Sequence, residues 1–177
     1  MIINQDNCIF LIIDVQEKLL NAVFNKEILE KNAKILAKAA KTLEIPVFIT
    51  EQYPQGLGKS IDVINEFSNL YIKTDFNALA DKNLFNEIKK LGKKQVIVFG
   101  IETHICVYQS VIALLEAGFE VSVVSDASGS RSEKEYNAAF ELMKNSGAQI
   151  KTTEIVLFEI LKSAKHPNFK EIQTLIK

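Results

Sequence analysis

The chain has 177 residues, 47% of them apolar, which suits one domain over 1–177 with a sizeable core and argues against wholesale disorder. A formal net charge of −1 with scattered basic residues gives no electrostatic case for nucleic acid or anionic lipid as a partner. Two cysteines are too few for a disulfide framework, and with two histidines in no CxxC or HxxxH spacing they make no structural zinc site.

The N-terminal stretch has no basic leader pattern, and its apolar run ends at Asp14, far short of a membrane span. A cytoplasmic protein starting near Met1 is therefore expected. Residues 8–14, CIFLIID, read as a strand buried on both faces. Residues 25–43 carry Ile28, Leu29, Ala33, Leu36, Ala40 and Leu43 at helical spacing, and Pro46 stops that helix. PVFIT (46–50) is the second strand, and EQYPQGLGK (51–59) is a loop by its Pro and Gly.

A modest helix is predicted over 60–67, a third strand over 70–74, and a short helix over 83–90 with Gly92 past its end. QVIVFG (95–100) is the clearest strand. A helix over 103–117 follows, with Thr103 as its N-cap and Gly118 as its terminator. A fifth strand at 119–126, a helix from Ser132 to Asn145, a sixth strand at 148–153 and two helical segments near 155–163 and 168–176 complete the chain. Strands alternating with helices imply right-handed crossovers and a three-layer α/β/α sandwich around a six-stranded, mostly parallel sheet.

Ligands of such sheets gather beyond the carboxyl ends of the strands. That rim receives Asp14, Lys73 and the segment leading to Cys106. With Thr103 as N-cap, Cys106 falls in the first helical turn, where unpaired N–H groups and the helix dipole favour a thiolate. The same position also suits a small buried hydrophobe. Asp14 ends an apolar strand, as a general base would or as a loop-capping carboxylate would. Lys73 is open to the same two readings. Cys8 lies early in a strand and reads as core. His104 is read as a pocket-wall or surface residue and His166 as structural.

LIIDVQ (11–16), TEQYPQGLG (50–58), KTDFNAL (73–79), GIETHICV (100–107) and VVSDASGSRS (123–132), in this order, resemble the isochorismatase-like cysteine hydrolases over essentially the whole chain. The closing HPNFKEIQTLIK (166–177) is similar to the isochorismatase-domain-containing subgroup in particular. The resemblance implies an isochorismatase-like, Rossmann-like fold and a triad of Asp14, Lys73 and Cys106. Asp14 would take the thiol proton, Lys73 would hold the negative charges, and Cys106 would attack a small amide, ureido or related carbonyl to form a thioester. It also implies a cis peptide between Ile101 and Glu102, an oxyanion hole from the backbone N–H groups of Glu102 and Cys106, and pocket contacts from Gln16, Tyr53, Phe76 and Glu102. Gln16 in addition resembles a position that supports the aspartate. Nicotinamidases of this superfamily carry metal-binding histidines after the second strand. Here EQYPQGLGK has none, so no catalytic metal and no cofactor are expected.

Two other readings of the same residues are a silent binding module on this fold and a redox-responsive thiol, the latter without a nearby resolving cysteine. The small-molecule enzyme is expected to be a homo-oligomer, because apolar residues in 155–162 exceed the needs of one helix face.

Overall fold

A computed structural model describes residues Met1–Lys177. In chain order the elements are β1 (Cys8–Ile13), α1 (Glu17–Leu20), α2 (Lys26–Thr42), β2 (Val47–Gln52), α3 (Pro54–Leu57), α4 (Asp62–Asn65) and β3 (Leu70–Lys73). Then come α5 (Lys82–Lys90), β4 (Gln95–Gly100), α6 (Tyr108–Glu116), β5 (Glu120–Val124), α7 (Glu133–Asn145), β6 (Gln149–Lys151), α8 (Thr153–Leu161) and α9 (Phe169–Ile176). The six strands form one sheet in the order β3-β2-β1-β4-β5-β6, and every pair is parallel. No helix is long and apolar enough to cross a membrane.

β1 shows why the sheet is covered on both sides. Side chains alternate across a strand. Phe10 and Ile12 pack into one apolar cluster with Leu29, Leu36 and Ala40 of α2 and with α8 and α9. Ile9, Leu11 and Ile13 pack into a second cluster with Leu84 of α5, Val111 of α6 and Phe140 of α7. A strand with no polar face therefore sits at the centre of three layers.

Several sequence-based boundaries shift. β2 runs two residues past Thr50, because Glu51 and Gln52 pair with Ile72 and Lys73 of β3. The fifth strand stops at Val124, and Ser125–Ala127 coil into a tight helical turn. There the Asp126 carboxylate accepts the Thr153 N–H at 2.8 Å and so caps α8. The sixth strand is trimmed to Gln149–Lys151 for the same reason. α7 begins after Ser132, whose hydroxyl accepts the Glu135 N–H.

The helix expected over 103–117 is in fact two pieces. Thr103–Val107 form a wide π-type turn, closed by the Val107 N–H on the Glu102 carbonyl at 3.1 Å, and only Tyr108–Glu116 are α-helical. Glu102, not Thr103, stands at the N-cap position. Thr103 instead gives its backbone N–H to the Gly129 carbonyl at 2.8 Å, and its buried hydroxyl has no partner.

Gly100 decides how closely this turn approaches β1. It has φ +139°, and a Cβ there would collide with the Ile13 carbonyl oxygen. That oxygen accepts the Ile101 N–H at 2.8 Å. Gly100→Ala is expected to cost about 3 kcal/mol from forced backbone displacement, read as a lowered midpoint in denaturant unfolding.

Candidate active site

Asp14 follows β1 with φ +51°, a sparsely populated conformation that aspartate tolerates better than most residues. It is completely buried. A carboxylate in such a place must be paired and hydrogen-bonded. Its Oδ2 accepts from Lys73 Nζ at 2.7 Å, and its Oδ1 accepts from the Thr50 hydroxyl at 2.7 Å. The Lys73 side chain is only 3% exposed, so the ion pair is shielded from water and salt.

Lys73 ends β3, two strands away from β1 in the sheet. Its Nζ also donates to Gln52 Oε1 at 2.8 Å and to the Asp75 carbonyl at 3.1 Å, with the Phe76 carbonyl at 3.4 Å. An ammonium has three N–H groups. Asp14, Gln52 and the 75–76 backbone take all three, so Lys73 acts on its surroundings through its charge.

Cys106 lies in the wide turn with 6% of its surface exposed. Its sulfur lies close enough to Asp14, Lys73 and the Glu102 backbone for each of them to act on the thiol. Asp14, Lys73 and Cys106 thus form one contiguous group. The expected stabilisation of a thiolate at a helix N-terminus is corrected here. Burial first, and then the negative charge of Asp14, push the thiol up to about 12, and the ammonium of Lys73 offsets only part of this. The α-helix proper starts two residues later, at Tyr108. The resting group is a protonated thiol beside a carboxylate.

The remaining expected residues divide by geometry. Gln16 is buried, and its amide is spent on backbone. It accepts from the Gln52 N–H at 2.7 Å and donates to the Gln52 carbonyl at 3.0 Å and the Gly58 carbonyl at 2.6 Å. It braces the 52–58 loop, and its side chain makes no hydrogen bond to Asp14. Tyr53 and Phe76 are about half exposed, on loops following β2 and β3. The Ile101–Glu102 peptide is cis. The Glu102 carboxylate turns to Arg131, the only arginine of the chain, at 2.7 Å. His104 Nδ1 lies 3.0 Å from the Ser130 hydroxyl. Cys8 is fully buried in the core, and desolvation raises its thiol to about 11. No three His, Cys, Asp or Glu side chains are grouped to hold a metal ion.

The strand-end rule delivers Gln52 to this rim without a role and leaves Thr50 as plain strand, yet the two touch Lys73 and Asp14. A polar Thr-Glu-Gln run at a strand end carries no hydrophobic period that would announce them.

The isochorismatase domain family matches residues 8–155. Isochorismatase domain-containing protein 2 of Danio rerio is 38% identical over 170 residues, covering 95% of this chain and 86% of that protein. Among solved structures, MAR1 ribonuclease from Caenorhabditis elegans superposes with a TM-score of 0.93 at 36% identity, covering 99% of this chain and 92% of that one. YcaC from Pseudomonas aeruginosa, with hexane-2,5-diol and covalent acrylamide, gives 0.92 at 26% identity, covering 98% and 91%. Escherichia coli YcaC, described as an octameric hydrolase of unknown specificity, gives 0.90 at 25% identity, covering 98% and 95%.

Proposed function

The chain belongs to the isochorismatase domain family, and we propose that it is a hydrolase that cleaves a small amide, ureido or related carbonyl compound through a thioester on Cys106. One observation carries the reading: the Cys106 thiol sits beside a buried carboxylate, Asp14, which Lys73 and Thr50 hold in place. In the first step Asp14 takes the thiol proton as sulfur attacks the carbonyl carbon. The thiolate therefore exists only when substrate is in position. The carbonyl oxygen becomes an oxyanion beside the backbone N–H groups of Glu102 and Cys106. Protonated Asp14 then passes its proton to the departing nitrogen, and the amine leaves. Water attacks the thioester, Asp14 accepts a proton from it, and the acid departs as the thiol is restored.

Lys73 is the counter-charge of Asp14 and offsets the charge that builds on sulfur and oxygen. Tyr53 and Phe76 offer aromatic surface to the substrate at the rim. The covalent acrylamide on the Pseudomonas aeruginosa YcaC supports the presence of a reactive nucleophile on a closely similar fold. The ribonuclease name belongs to the Caenorhabditis elegans protein; here a net charge of −1 gives no basic track for a phosphate backbone, and a small-molecule substrate fits better. We further read the protein as a cytoplasmic homo-oligomer. The two free cysteines support the compartment. Exposed Ile155 and Phe158 on α8, together with the octameric neighbour, support the assembly.

The test is a panel of small amides, ureido acids and carbamoyl compounds with rapid acid quenching and intact-protein mass spectrometry. An accepted substrate is expected to leave an acyl mass on the peptide containing Cys106. Turnover with no such adduct, and no change on removing the sulfur, would replace this mechanism with direct attack by water.

A further inference from the structure

The ion pair that organises the site joins residues from strands that are not neighbours. Asp14 leaves β1 and Lys73 ends β3, and β2 lies between them. Neighbouring strands are about 4.8 Å apart, so the lysine must span roughly twice that distance over the end of β2. Whatever β2 presents at that point lies under the ammonium and beside the carboxylate. Thr50 and Gln52 are i and i+2 on β2, so they share one face. The register sets Thr50 beside Ile13, just before Asp14, and Gln52 beside Lys73. Thr50 donates to Asp14 Oδ1 at 2.7 Å, and Gln52 Oε1 accepts from Lys73 Nζ at 2.8 Å.

Both residues are neutral, and each gives its charged partner the complement it needs: a donor for the anion and an acceptor for the cation. Each is itself held. Gln52 gives its amide N–H to the Thr74 carbonyl at 2.7 Å, which fixes its oxygen toward Lys73. Its backbone is bracketed by Gln16. The Thr50 carbonyl accepts the Asp14 N–H at 3.1 Å, which fixes the distance between their side chains. The charged residue between them, Glu51, points to the other face, where it accepts the Ser60 N–H at 2.6 Å. Of the other polar groups on the neighbouring turn, Glu102 is turned to Arg131 and His104 is engaged with Ser130.

We infer that Thr50 and Gln52 are positioning residues of the proposed hydrolytic site, with Thr50 orienting Asp14 and Gln52 orienting Lys73 across the end of β2. This rests on the reading of Asp14, Lys73 and Cys106 given above. Neither residue touches the reacting atoms. Each acts through one member of the triad, and that dependence makes the assignment testable without knowing the substrate.

The experiment is the rate of Cys106 alkylation by iodoacetamide, followed by intact mass and peptide mapping at fixed pH. Thr50→Val and Gln52→Met each remove one hydrogen bond to a charged group and are expected to slow alkylation about tenfold. Thr50→Ser keeps the hydroxyl and is expected to restore the wild-type rate. In a double-mutant cycle, Gln52→Met is expected to have no further effect in a Lys73→Met background, and Thr50→Val none in an Asp14→Asn background. Wild-type rates in the single variants would overturn the inference. So would a loss that persists undiminished in those backgrounds, since that marks a general structural effect. If Asp14→Asn, which removes a charge that raises the thiol, and Lys73→Met, which removes one that lowers it, both alkylate at the wild-type rate, the triad reading fails instead. If those two change the rate and the β2 variants do not, only the present inference falls.

Discussion

Replacing Cys106 by alanine is expected to cut turnover of any accepted substrate by at least about 10³-fold while leaving the protein folded. The substitution deletes one atom from a small, nearly buried side chain, so the packing loss is slight. The same variant should change alkaline stability in a defined direction. The native protein holds the thiol proton up to about 12, against 9.0 for an ordinary cysteine. Below pH 9 both folded and unfolded chains carry that proton, and the contribution is fully present. Between pH 9 and about 12 the unfolded chain gives it up and the native one does not, so stability falls as pH rises through that window. Cys106→Ala removes this part of the slope. Its urea midpoint should therefore drop less between pH 8 and pH 10 than that of the wild type. Cys8 and Tyr136, raised to about 11 and about 12, keep their own contributions in both proteins. Identical slopes would show that the Cys106 thiol is not perturbed in the way its burial and the nearby Asp14 charge require.

That perturbation was hidden from the sequence for a physical reason. A rule about strand ends in parallel sheets brings Asp14, Lys73 and Cys106 to one rim together with Asp75, Glu51, Gln52 and Tyr53, and only the family resemblance implies a triad among them. The sequence alone cannot show that burial and a neighbouring carboxylate outweigh a lysine and a helix start, because that balance depends on distances. β4 was legible to its last residue because six consecutive residues are buried on both faces and a glycine ends the run. The helix ending at Asn145 was legible to within one residue, Ser132 being its cap and not its first turn. The 103–107 segment was not, since a wide turn and an α-turn share the same side-chain composition. Thr50 and Gln52 acquire meaning only once β2 is known to lie between β1 and β3. Strand order is not written in the spacing of residues along the chain.

Lys73→Met separates what the ion pair does for stability from what it does for chemistry. The substitution leaves a fully buried Asp14 carboxylate with the Thr50 hydroxyl but no counter-charge. Breaking a buried pair from one side typically costs about 3–5 kcal/mol, and a loss of that size is expected in denaturant unfolding. Adding Asp14→Asn to the same chain removes the stranded charge and keeps the side-chain volume. Most of the lost stability should return, because replacing both ions of a buried pair is far less damaging than replacing one. Activity should not follow. Without a carboxylate the thiol has no proton acceptor, and without the ammonium nothing offsets the charge on sulfur and oxygen. Both variants should therefore fall by at least about 10²-fold in kcat/KM. A double variant that regained turnover along with its unfolding midpoint would mean that the pair serves only to hold the strands together. A single variant with undiminished stability would mean that water reaches Asp14 far more freely than its burial implies.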